Sequence, residues 1–217
     1  MKKTIVLFLS LLPLFAVAQT TAPIGIGVSQ RQGTIDWPKV SSDNNLAFVY
    51  VKASEGATVT DGRLETNLTE ARKAGLPVGC YMVYDRHYNA QSQFDNFQQV
   101  VKGISMTLVP VVAIEEEANF PLNIKRVDML LQLFENAYGV KPMIYTSEET
   151  YKKYFSLERY ASYHVMIVTS DLHYPETRYT LWQYTTRERV AGILAEVGGL
   201  KLHPTYTVED ITLKKVR

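Results

Sequence analysis

The chain has 217 residues, with 23 lysines and arginines against 22 aspartates and glutamates for a formal charge of +1. That balance excludes the polybasic footprint of a nucleic-acid binder and the acidic tail of a charge-driven partner. A single cysteine excludes a disulfide-stapled scaffold, and the length suits one domain with a sizeable core.

In chain order, Met1-Lys2-Lys3 leads into an apolar run from Ile5 to Val17, interrupted by Ser10 and Pro13, which ends in Ala16-Val17-Ala18. A basic start, an apolar segment short of the ~20 residues that span a bilayer, and small residues before the cut compose a secretory signal peptide. The expectation is a signal peptide over 1–18, cleaved after Ala18, and one domain over 19–217. After cleavage no integral membrane segment is expected, and the mature protein is placed in the periplasm or outside the cell.

Short runs rich in β-branched and aromatic residues then alternate with segments of helical period. Ile24 to Val28 reads as a first strand, and Asp36-Trp37-Pro38 as a helix start with Asp36 as N-cap. Ala47 to Ala53 is a second strand, and Arg63 to Ala74 a helix with Leu64, Leu68, Ala71 and Ala74 on one side and Gly75 as its stop. Pro77 to Tyr84 is a third strand, in which Cys80 reads as buried, inert filler. An amphipathic helix follows from Ala90 to Lys102, then a fourth strand from Leu108 to Glu115. Val127, Leu130, Leu131, Phe134 and Tyr138 mark a helix closed by Gly139, and Pro142 to Thr146 is a fifth strand. Beyond it Tyr163 to Val168, Tyr179 to Tyr184 and a stretch around Leu200 to Leu202 read as strands with short connections. The pattern predicts an α/β fold: a single irregular TIM-like barrel, five βα units followed by strands with little helix.

In such barrels ligands meet the C-terminal ends of the strands. That rule selects Lys52, Glu55, Tyr81, Asp85, Glu115, Glu117, Tyr145, Trp182, Gln183 and Tyr184. Aromatic faces with carboxylates and amides suit the apolar side and the hydroxyls of a pyranose. Strand alternation also allows Trp182 and Tyr184 to be core, with Gln183 facing the other way. His87, His164, His173 and His203 stand at no metal-ligand spacing, so neither a metal nor another cofactor is expected.

Several of these stretches resemble one family. Gly25-Ile-Gly-Val-Ser-Gln-Arg-Gln-Gly-Thr-Ile-Asp-Trp37 is similar to the opening of glycoside hydrolases of family 25, the lysozyme or N-acetylmuramidase type, which reads Gly-Ile-Asp-Val-Ser, then Gln-Gly and Ile-Asp-Trp. Phe48-Val-Tyr-Val-Lys-Ala-Ser-Glu-Gly56, Ala74-Gly-Leu-Pro-Val-Gly-Cys-Tyr81, Pro142-Met-Ile-Tyr-Thr146 and Leu181-Trp-Gln-Tyr184 continue the resemblance in family order. It implies a (β/α)5β3 barrel and cleavage of the β-1,4 bond after N-acetylmuramic acid in peptidoglycan.

The family places acids at four positions. Here they fall on Gly27, Ala113, Glu115 and Gly198, so Glu115 alone survives, as a candidate proton donor. A retaining glycosidase needs a second carboxylate roughly 5 Å from the donor. Three readings follow: a catalytically impaired or inactive homologue that binds peptidoglycan glycan or a related sugar polymer; an active muramidase in which Glu55, Asp85 or Glu117 replaces the lost partner; or a scaffold for another envelope protein. A monomer is expected in each.

Overall fold

Alternation along the strands decides which side of the sheet each side chain takes. In β1 (Ile24–Val28) the buried Ile26 and Val28 join an outer layer of apolar residues, whereas the glycines between them face inward. β2 (Leu46–Glu55) repeats the pattern, with Val49, Val51 and Ala53 in the outer layer and Phe48 and Tyr50 in an inner one. Inward glycines make room for those rings: a methyl on Gly25 would meet the Phe48 ring at 2.1 Å, and one on Gly79 the Tyr50 ring at 2.5 Å.

The computed structural model describes residues 23–42, 46–117, 120–169 and 173–214; the expected signal peptide lies outside them. After β2 come a short antiparallel strand β3 (Val59–Thr60), β4 (Val78–Val83), β5 (Val111–Ala113), β6 (Met143–Ser147), β7 (Val165–Val168), β8 (Leu181–Glu188) and β9 (Val197–Leu202). They form one sheet in the order β1-β9-β8-β7-β6-β5-β4-β2-β3, and the pairing of β1 with β2 closes it. β3 hangs outside the ring, leaving eight strands in the barrel. All ring pairings are parallel except those of β9 with β8 and β1. Helices α1 (Trp37–Ser41), α2 (Leu64–Lys73), α3 (Ala90–Val101) and α4 (Ile124–Tyr138) fill the first four crossovers, and short helical turns over 148–160 fill the fifth. β7, β8 and β9 follow with no helix between them, which gives the (β/α)5β3 barrel.

Caps and stops explain the helix ends. Asp36 accepts a bond from Lys39 N with Pro38 in the first turn, and Asn123 does the same for Arg126 N. Gly139 ends α4 at φ 68°, a left-handed conformation that favours glycine. α3 and α4 lock together through Phe94, Phe97 and Phe134, with ring centroids 5.1 and 4.8 Å from Phe134.

Most strands shift by a residue or more from the expected bounds, and two of the shifts bear on the site. Leu108 and Val109 do not continue β5, because the C-terminal segment pairs antiparallel with them: Leu108 bridges Thr212, Val109 N donates to Ile211 O at 2.9 Å and Leu213 N to Thr107 O at 2.8 Å, while Leu108 N donates to Val78 O at 3.0 Å. Pro110 has no N–H to extend the ladder. β9 begins before the expected Leu200, at Val197, so that Gly198 and Gly199 are in the sheet. Leu108, Val111, Met143, Leu181, Leu200, Leu202 and Ile211 then close the lower barrel, and the space above them stays open.

Candidate functional site

The parallel strands point their C-terminal ends to one mouth, where a cavity of about 580 Å³ opens. Its wall is built from Gly27, Tyr50, Glu55, Tyr81, Asp85, Ala113, Glu115, Glu117, Tyr145, Met166, Gln183 and Gly198, with Arg31, Gln32 and His87 among the other lining residues. Of the residues chosen from sequence, Glu55, Tyr81, Asp85, Glu115, Glu117, Tyr145 and Gln183 line it.

Lys52, Trp182 and Tyr184, also chosen from sequence, are not in that lining. Lys52 instead donates to Glu55 Oε2 at 2.6 Å. Trp182 and Tyr184 take the other face of β8 from Gln183. Trp182 donates to Thr169 Oγ1 at 2.8 Å and packs under Tyr174, with ring centroids 4.3 Å apart. Lys201 sits over both rings, and Tyr184 donates to Glu188. No helix crosses between β8 and β9, so these aromatic rings cover the outer surface of the sheet there.

The four positions at which the family resemblance implies acids, 27, 113, 115 and 198, all line this cavity. Gly27 and Gly198 are direct partners across the antiparallel β1–β9 pair. A Cβ on Gly27 would meet nothing within 4 Å, and one on Gly198 would meet only Gln183 Oε1 at 3.4 Å and its surroundings at ordinary contact. Ala113 pairs with Tyr145 on the neighbouring strand, and Glu115 lies just past the end of β5.

The acids fall into two groups. Three have a partner at contact distance: Glu55 pairs with Lys52 at 2.6 Å, Glu117 with Arg86 Nε at 2.8 Å, and Asp85 shares a hydrogen bond with His87 Nδ1 at 2.7 Å. Glu115, among the described residues, has neither an ion-pair nor a hydrogen-bond partner and is exposed to the cavity. The loop that carries it is tied down on both sides, because Glu116 accepts from Lys153 and Tyr154 while Arg86 holds Glu117 and covers the Phe120 ring.

Burial raises the Asp85 carboxyl, but this is outweighed by the His87 backbone N–H and ring and by the charges of His87 and Arg86, and the net shift is downward. A carboxylate depressed in the folded state stabilises it above the unfolded value near 3.8 and loses that contribution as pH falls through the lower folded value. The melting temperature of Asp85→Asn should therefore fall less than that of the parent over the acid limb below about pH 4 and run parallel to it near neutrality. Identical acid limbs would overturn the assignment.

Tyr145 and Tyr81 keep their phenolic protons. Burial raises Tyr145 most, the Glu115 charge adds to it, and Gln183 partly offsets it; burial likewise dominates at Tyr81. Both therefore offer O–H groups to a ligand. Sequence reasoning missed His87, because the histidines were weighed only as metal ligands, and Arg31, because whole-chain charge balance hides a single cation. The signal for Arg31 was the Ser29-x-x-Gln32 spacing of a capping box, which builds the turn presenting it. Among the described residues no group of three or more His, Cys, Asp or Glu could hold a metal ion.

Comparison with known proteins accounts for this arrangement. The family model "Glycosyl hydrolases family 25" matches residues 26–193. The chain belongs to that family. It is 30% identical over 182 residues to the uncharacterized protein YegX of Escherichia coli, an alignment covering 78% of this chain and 65% of YegX. The chain thus spans just under two thirds of that relative's length. Over a shorter stretch of 64 residues it is 42% identical to Lysozyme M1 of Streptomyces globisporus, 30% of this chain and 21% of the other. Among solved structures, a bacterial lysozyme from Streptomyces coelicolor matches with a TM-score of 0.76 and 25% identity, covering 88% of this chain and 96% of that one. A family 25 glycosyl hydrolase from Bacillus anthracis matches with a TM-score of 0.74 and 25% identity over 88% and 92% of the two chains. As a family 25 member the chain carries the lysozyme-type barrel, with Glu115 at its mouth.

Proposed function

We propose that this family 25 protein is exported and binds the glycan of peptidoglycan with hydrolysis strongly impaired. One observation carries the reading: Gly27, Ala113 and Gly198 line the cavity without a carboxylate, leaving Glu115 as its one acid with no partner among the described residues. Breaking a glycosidic bond with retention needs a proton donor and a second carboxylate about 5–5.5 Å away to meet the positive charge that develops at the sugar carbon. Glu55 and Glu117 already pair with Lys52 and Arg86, and Asp85 is held by the His87 ring and backbone N–H, so they have less to offer an oxocarbenium-like state. The binding half of the site is better preserved. Tyr81 and Tyr145 present phenols, and Gln183 an amide, the polar and aromatic mix that sugar recognition uses.

Export is supported by the basic, apolar and Ala16-Val17-Ala18 segments of the first residues. The mature protein should sediment with insoluble peptidoglycan while releasing reducing ends on the order of 10³-fold more slowly than an intact family member, the scale of loss when a charge-stabilising group is removed. Robust release abolished by Glu115→Gln would establish the active reading, with a displaced acid as partner. A protein that neither cleaves nor sediments would instead support the envelope scaffold.

A further inference from the structure

We propose that the cavity selects glycans whose sugars carry a free carboxylate, and that Arg31 is the residue that recognises it; this rests on the glycan-binding reading above. Arg31 is presented by a turn over Gln30–Gln32 that is fixed from both sides. Ser29 Oγ accepts from Arg31 N, while Gln32 Oε1 accepts from Ser29 N at 2.8 Å and Gln32 Nε2 donates to Glu196 O at 2.8 Å. Gln30 N donates to Asp61 Oδ2 at 2.8 Å, and Gln30 Oε1 accepts from Gly62 N at 2.9 Å. Both neighbours of Arg31 are thus committed to the scaffold, and the arginine between them lines the cavity.

Its guanidinium has no ion-pair or hydrogen-bond partner among the described residues. The two acids that share the Tyr81 neighbourhood are already engaged: Glu55 by Lys52 at 2.6 Å, and the buried Asp61 by the backbone N–H groups of Gln30 and Arg63 at 2.8 and 3.0 Å. Arg31 and Tyr81 line the same cavity, and the Arg31 charge opposes the burial that raises the Tyr81 phenol. The loss of acids at positions 27, 113 and 198 has a second consequence. Carboxylates at those three positions would repel an anion; without them, and with Glu55, Asp85 and Glu117 each holding a partner, Glu115 is the one cavity acid with no partner among the described residues. A bound pyranose would direct its carboxylate to Arg31 and its hydroxyls to Gln183, Tyr145 and Glu115.

Two sources share this chemistry: the lactyl ether of muramic acid once its stem peptide is removed, and a hexuronic acid. Titration calorimetry should compare a muramic-acid oligosaccharide with a free lactyl carboxylate, the same oligosaccharide capped as the methylamide, and an oligomer of hexuronic acid. The free carboxylate is expected to bind on the order of tenfold tighter than the methylamide, as a charge-assisted contact requires, with the preference shrinking as salt rises. Arg31→Gln should erase that preference without lowering the melting temperature, and Arg31→Lys should keep part of it, since lysine retains the charge but not the planar fork. Tighter binding of the hexuronate would identify it as the source of the anion. Equal binding of acid and methylamide, or a preference that survives Arg31→Gln, overturns the inference while leaving glycan binding intact. If none of the three binds, the glycan reading itself fails.

Discussion

Replacing Gly27 and Ala113 together by aspartate should turn this chain into a measurable muramidase, raising the release of reducing ends from peptidoglycan on the order of 10³-fold over the parent. The argument is steric first. A Cβ at Gly27 meets nothing within 4 Å, so the new side chain starts into open cavity. Ala113 already carries a Cβ and lines the cavity, so the added carboxylate extends along a direction that is open. The electrostatic argument follows. An aspartate at 113 sits on β5 beside Tyr145, whose protonated hydroxyl can hydrogen-bond it, and two residues before Glu115 on the same side of the chain. It supplies the negative charge that a developing glycosyl cation lacks in the parent. Adding Gly198→Asp should increase the gain, because its Cβ would meet only Gln183 at 3.4 Å, ordinary contact. Glu115→Gln on the double variant should abolish the new activity. Should the double and triple variants melt like the parent yet release nothing, the cavity cannot place its donor and partner together, and the account of why the parent is impaired is wrong.

Truncating Phe48 should produce the largest loss of stability at the barrel floor, about 3–5 kcal/mol, as for other buried phenylalanines. Phe48 is fully buried, packs edge-on to Tyr50 at a centroid distance of 6.2 Å, and fills the space over Gly25 that a side chain there would otherwise occupy. For a domain of this size the change corresponds to a fall in melting temperature on the order of 10 °C. Gly25→Ala alone should also destabilise, by about 1–3 kcal/mol, because its methyl would clash with the Phe48 ring. The double variant should cost less than the sum of the two, since the methyl then enters the hole that the ring has left; thermal melts of all four proteins measure that coupling. Gly27→Ala is the control: two residues along the same strand face, it should leave the melt nearly unchanged. Strict additivity, or an equal loss from Gly27→Ala, would show that the ring does not rest on Gly25.

Both predictions depend on which way side chains point, and this is where sequence and tertiary structure divide. The order of strands and helices followed from period and punctuation: the continuous apolar run Phe48–Val51, the helical spacing of Val127, Leu130, Leu131 and Phe134, the Asp36 cap and the Gly139 stop are local, and local sequence specifies them. The placement of Glu115 at a strand end followed in the same way. Other features required partners distant in sequence. β5 is short because the C-terminal segment, a hundred residues later, captures Leu108 and Val109. Trp182 and Tyr184 face outward because β8 and β9 lack a covering helix and these rings fill its place over Gly199 and Lys201. Periodicity gives the alternation of faces but not which face closes on the cavity.

What the sequence alone determined is the family and the barrel, and that positions 27, 113 and 198 carry no carboxylate, since each is written in residue identity. That Gly27 and Gly198 lie opposite one another, that Glu55, Asp85 and Glu117 each have a side-chain partner, and that Arg31 projects from a stapled turn were decided by tertiary structure. The physical reason is that charge acts through distance in space, and only the closure of the barrel sets those distances.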